Sequence, residues 1–127
     1  MGQQSEALKE RSMLFAVNTL QLLEHLPRTA GGEVIARQLA KSATSVAANY
    51  RSACTARSRR DFIAKLAIVV EEIEESVYWL ELIVRLQLVA VASLPALSAE
   101  AIELRAIFSR SLGTARANSR VVSETTK

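Results

Sequence analysis

Phe62, Leu66, Val69, Ile73, Val77, Leu80 and Val84 recur at steps of three and four residues, and no other feature of the chain constrains its fold as strongly. Apolar side chains at this spacing share one face of an α-helix, whereas a strand would scatter them over both of its faces. The run predicts a helix over about 59–88, roughly 45 Å long at 1.5 Å per residue. Ser58 followed by Asp61 reads as a capping box, with Asp in place of the usual Glu, and starts that helix.

Three further segments carry the same period. The first, about 5–26, aligns Leu8, Phe15, Thr19, Leu22 and Leu26. Pro27 ends it, because the residue before a proline is pushed out of the α region, and Gly31 and Gly32 supply the turn. The second, about 33–55, aligns Ile35, Leu39, Val46, Tyr50 and Ala53; the last, about 98–117, aligns Ala101, Leu104, Phe108, Leu112 and Ala115. A polar, frayed tail is expected over 118–127. Period-two alternation is not sustained anywhere. Short links force consecutive helices to be neighbours, so the expected fold is all-α: one antiparallel up-and-down four-helix bundle over 1–127.

Composition agrees with a packed domain. Of 127 residues 50% are hydrophobic, and four Gly and two Pro leave little room for a disordered or fibrous chain. The most apolar stretch, Leu80 to Leu97, is interrupted by Glu81, Arg85 and Pro95, so no membrane span is expected. The polar residues 1–12 do not read as a secretory signal, and the lone Cys54 excludes an internal disulfide. Both point to the cytoplasm.

Charge is segregated along the chain. From Val34 to Arg60 there are six basic residues (Arg37, Lys41, Arg51, Arg57, Arg59 and Arg60) and no acid. Four of them fall in the stretch Asn49 to Phe62, ahead of its only acid, Asp61. From Glu71 to Glu81 there are five glutamates and no base. From Leu104 to Val122 there are four arginines, Arg116 and Arg120 among them, and no acid. Such segregation suits a polyanion or a complementary face on another subunit. Arg37, Lys41, Arg51, Arg57, Arg59, Arg60, Arg116 and Arg120 are therefore the expected nucleic-acid contacts.

The third helix carries more apolar surface than one core uses. Ile68, Glu72, Glu75, Trp79, Leu82 and Leu86 form a second continuous stripe beside the core face. A monomer rarely exposes such a patch, and Trp is enriched among interface anchors, so these six residues are the expected oligomer interface. The glutamates of this helix then either meet arginines of a neighbouring protomer or form a solvated face.

Catalytic groupings are missing. Glu71, Glu74 and Glu75 resemble the carboxylates of di-iron bundles, but the Glu-x-x-His motif of such sites does not occur. The single histidine, His25, falls at the end of the first helix, where a dipole interaction accounts for it. Cys54 lies near Arg51 and Arg57 but has no positioned histidine, and reads as a small buried hydrophobe. Ser42, Thr44 and Ser45 make no nucleophile motif, and no Gly-rich phosphate loop is present. Tyr78 and Trp79 suit packing better than base stacking. The chain reads as a non-enzyme with no metal and no cofactor.

The run from Ser45 to Ile83 (Asn49-Tyr50-Arg51, Arg57-Ser58, Phe62, Lys65-Leu66, and Tyr78-Trp79-Leu80) resembles the four-helix-bundle proteins encoded in bacterial 23S rRNA intervening sequences. The similarity extends from Phe15 to about Phe108. The chain is similar as well to the accessory subunit of diversity-generating retroelements, which shares the fold. The resemblance implies a ring-like homo-oligomer, a pentamer, and for the retroelement branch it implies binding of nucleic acid and of a reverse transcriptase through basic surfaces. For the intervening-sequence branch it implies no established activity.

Two functions are therefore expected to compete. One is an oligomer that binds RNA or DNA non-specifically through its basic surfaces. The other is a structural scaffold that binds a protein partner and no nucleic acid, its charges serving assembly alone. They differ in whether the arginines lie free and clustered on one face or paired with Glu71 to Glu81 across subunits.

Overall fold

The computed structural model describes residues 2–125, and side-chain surroundings as far as residue 120. Its elements are α1 (Gly2–Leu23), α2 (Ala30–Cys54), α3 (Arg59–Leu86) and α4 (Leu94–Thr125), with no strand among the described residues. Each helix packs on the next, and α4 closes the bundle against α1 through its thinnest seam. This is the four-helix bundle expected from the periodicity. No described helix is long and apolar enough to cross a membrane.

The core is built from one stripe per helix. Phe15 and Leu22 of α1 meet Leu39, Val46 and Tyr50 of α2, Leu66, Ile73 and Leu80 of α3, and Leu104 and Phe108 of α4. Burying a leucine this fully stabilises the fold by roughly 2 kcal/mol. Tyr50 and Phe108 join α2 to α4 across the centre, ring centroids 5.1 Å apart. The buried hydroxyls of Ser42 and Ser76 lie 2.9 Å apart, so that one donates to the other while the second donates to a carbonyl of its own helix, Leu39 for Ser42 or Glu72 for Ser76. Buried hydroxyls without partners are costly, so this pair fixes the register of α2 on α3.

The α3 face drifts from the expected one at its end. Ile83 is fully buried, while Val84 is 48% exposed. The expected run takes two four-residue steps in succession, from Val69 to Ile73 to Val77. The buried positions Leu66, Val69, Ile73, Ser76, Leu80 and Ile83 keep a strict 3-4 alternation, the spacing of a seam between packed helices, so the run overshoots by one residue at its end.

Helix ends depart from the sequence expectation in α1, in α2 and at both ends of α4. Helix α1 stops at Leu23, and a tight turn of i,i+3 hydrogen bonds carries the chain from Glu24 to Leu26. His25 is exposed in that turn, beyond the last helical residue. Gly31 and Gly32 belong to the first turn of α2, capped by the Thr29 hydroxyl, which accepts from the Gly32 N–H at 3.1 Å. A Cβ on Gly32 would lie 2.1 Å from the Pro27 carbonyl oxygen, so the close approach of the link requires glycine. Finally, α4 begins at Leu94, with Pro95 tolerated in its first turn, and runs to Thr125. The expected tail from 118 is therefore helical as far as the described residues extend, and residues 126 and 127 lie outside them.

Candidate nucleic-acid interface at one end of the bundle

The α2–α3 link, Thr55 to Ser58, forms a corner at one end of the molecule. Ser58 caps α3 by accepting the Asp61 N–H at 3.0 Å. Asp61 completes the motif one residue early: its carboxylate accepts the Arg57 N–H at 3.4 Å rather than that of Ser58. Lys65 donates to the same carboxylate at 3.1 Å, and this hydrogen bond is the main reason the Asp61 carboxyl titrates below the usual range. The one acid within the arginine-rich stretch is thus committed to the cap and to Lys65, and among the described residues it forms no ion pair with the arginines around it.

Antiparallel packing brings the end of α4 to this corner. The Arg59 guanidinium donates to the Asn118 carbonyl at 3.3 Å. Arg116 and Arg120, one on each side of Asn118, therefore stand at the same end as Arg51, Arg57, Arg59 and Arg60, and all six are exposed. Lys9 of α1 shares a cavity wall with Arg59 and adds to this end. No local pattern marked Lys9, because only the return of the chain sets α1 beside the corner.

Arg37 and Lys41 are not part of this cluster. Both are exposed, but Arg37 stands about 21 Å along α2 from Arg51 at 1.5 Å per residue. Lys41 faces Glu72, whose carboxyl is pushed up mainly by burial and then by Glu75, with Lys41 opposing the rise.

None of the eight expected nucleic-acid contacts forms an ion pair among the described residues. Other arginines do. Arg11 joins α1 to α4 through Glu100, with hydrogen bonds of 2.7 and 3.1 Å, and reaches Glu103 at 3.3 Å. Those Glu100 bonds are the first cause that holds its pKa above the ordinary arginine value. Arg85 pairs with Glu81 at 2.8 Å, and Arg105 approaches Glu74 at 3.7 Å.

The second stripe of α3 lies along its outer edge. Ile68 and Leu86 are 41% and 56% exposed, Glu75 is exposed, and Glu72, Trp79 and Leu82 are half-buried. Trp79 packs against the core, yet its buried Nε1–H has no acceptor among the described residues. Trp79 and Tyr78, which meet edge to face at 4.9 Å, lie about 30 Å from Arg59 along α3, far from the basic end. Cys54, expected to be buried, is half-exposed at the end of α2.

Residues 5–110 match the family described as 23S rRNA-intervening sequence protein. The chain belongs to that family. A crystal structure of a protein with unknown function from the S23 ribosomal protein family of Bacteroides thetaiotaomicron VPI-5482 shares the fold, with a TM-score of 0.76 and 31% identity. The similarity covers 86% of this chain and 97% of that one. No curated protein matches the chain. The family match ends at residue 110, so Arg116 and Arg120 of the basic end lie beyond the part that defines the family.

Proposed function

We propose that the protein is a non-enzymatic homo-oligomer that binds RNA or DNA through the basic end of its bundle, reading backbone charge rather than sequence. The observation that carries this reading is the cluster Arg51, Arg57, Arg59, Arg60, Arg116 and Arg120, exposed at one end and free of ion pairs among the described residues. Arginine offers a planar fork of donors that fits phosphate oxygens. The scaffold alternative predicts arginines matched to glutamates. Those partners would come from a neighbouring copy; within one copy Arg11, Arg85 and Arg105 pair with glutamates and the corner arginines remain available for phosphate.

Self-association is supported by the stripe of α3, where a buried indole N–H lacks an acceptor among the described residues and apolar neighbours stand exposed. A ring of copies, five by the family resemblance, would multiply a weak phosphate contact through avidity. The lone cysteine suits a reducing cytoplasm.

Fluorescence anisotropy against labelled single-stranded and duplex nucleic acid over a salt series tests the reading. The expected result is a log affinity that falls linearly with log salt. The combined change Arg57→Ala, Arg59→Ala and Arg60→Ala should weaken binding at least tenfold and flatten the slope by about three, at unchanged helicity. Wild-type protein that binds neither ligand at low salt would reject phosphate binding and favour the scaffold.

A further inference from the structure

Beside the arginine corner, the ends of α1, α2 and α3 leave a cavity of about 480 Å³. Sites for small organic groups run from roughly 300 to 1,000 Å³. Tyr50, Ala53 and Cys54 of α2 and Phe62 of α3 give it an apolar body, and Arg59 of the basic corner forms part of the same wall. A strand whose phosphates lie on Arg57 to Arg60 thus has the cavity within a nucleotide's reach.

Tyr50 is the polar group built into this cavity. It is only 6% exposed, with its ring held against Phe108. Its hydroxyl has the Cys54 thiol and the Ser5 hydroxyl as polar neighbours. A thiol is a weak partner and a serine hydroxyl can turn to another, so an incoming acceptor can take the phenol's hydrogen bond. Burial first, then the thiol, push its pKa up to about 12, and it remains a donor at physiological pH. At the mouth Lys9 and Glu6 pair at 2.6 Å, a donor and an acceptor side by side. Flat apolar contact combined with donors and an acceptor on one rim is the chemistry that holds an unstacked base.

We propose that this cavity takes an unpaired nucleobase from a strand whose phosphates are held by Arg57, Arg59 and Arg60. The proposal rests on the phosphate-binding reading above. A base in a duplex is stacked and paired and cannot enter, so the protein prefers single-stranded or bulged nucleic acid to an uninterrupted duplex.

The test compares a labelled strand of about ten nucleotides with an abasic strand of equal length and charge, using the full chain at low salt. The intact strand should bind roughly tenfold tighter. Ala56→Phe, in the link and on the cavity wall, should abolish that difference by filling the space while leaving abasic affinity unchanged. Tyr50→Phe, which keeps the ring, should reduce the difference severalfold and serves if Ala56→Phe fails to fold. Equal affinity of wild type for both strands overturns the cavity proposal while phosphate binding stands. So does a preference for the intact strand that survives both variants, since the base is then held elsewhere. Binding of neither strand overturns the phosphate reading and this proposal with it.

Discussion

Arg59, the first residue of α3, donates a hydrogen bond of 3.3 Å to the carbonyl of Asn118, about two turns of α4 beyond residue 110, where the family match ends. That contact joins two basic segments that the sequence keeps 59 positions apart. It makes the end of the bundle, rather than either segment alone, the unit of positive charge.

The convergence separates near from remote basic residues in binding. Arg116→Ala with Arg120→Ala should lower affinity for single-stranded RNA severalfold and reduce the salt slope by about two. Arg37→Ala with Lys41→Ala should change it less than twofold, because both stand up the side of α2. Anisotropy over the same salt series checks both pairs. A larger loss from Arg37 and Lys41 would move the interface to the flank of α2.

Assembly should depend on the outer edge of α3. Leu86→Ser, at a position 56% exposed, should lower the mass seen by light scattering without changing thermal stability of the folded chain. Trp79→Ala should also dissociate the oligomer, but it removes core packing and should cost about 3 kcal/mol or more in denaturation. If both variants keep the wild-type mass, the stripe does not form the interface.

The serine pair should behave as one unit. Ser42→Ala and Ser76→Ala should each destabilise by about 1 kcal/mol, and the double variant by less than the sum. Urea denaturation of the three variants measures the coupling. Strict additivity would mean that the 2.9 Å bond contributes nothing of its own.

Arg11 should hold the thinnest seam. Arg11→Met should destabilise by about 1 kcal/mol, since its pair with Glu100 is about one-third exposed, that with Glu103 more so, and both are screened by solvent. Amide hydrogen exchange should then speed in α1 before α2 or α3. Uniform exchange across all four helices would deny α1 this independence.

Tyr50 should give the fold an alkaline limit. Its folded pKa is raised to about 12 from the ordinary 10.0, so the unfolded chain loses this proton first. The contribution to stability is full below pH 10 and is lost as pH rises toward 12, about 2 kcal/mol in total. In a Tyr78→Phe background, phenolate absorbance should rise with a midpoint near 12 and steepen with unfolding. A midpoint at 10 would mean that the hydroxyl is solvated.

What the sequence determined by itself is local. Helix number, the buried faces of α2 and α4 and the Ser58 cap all follow from side chains within a few turns of one another, where the 3.6-residue period leaves little choice. The end of α3 was less legible, because one residue of register decides between Ile83 and Val84 and only the neighbouring helices arbitrate. The charge clusters were legible as segments, but not which of them meet. That Arg116 and Arg120 join Arg51 to Arg60 while Arg37 and Lys41 stand apart was decided by the antiparallel return of α4, and the packing of α1 on α2 beside the start of α3 decided the meeting of Lys9, Tyr50 and Arg59 around one cavity. Such contacts form between residues distant in the chain, and no local pattern encodes them: the physics that selects them is the packing of whole helices.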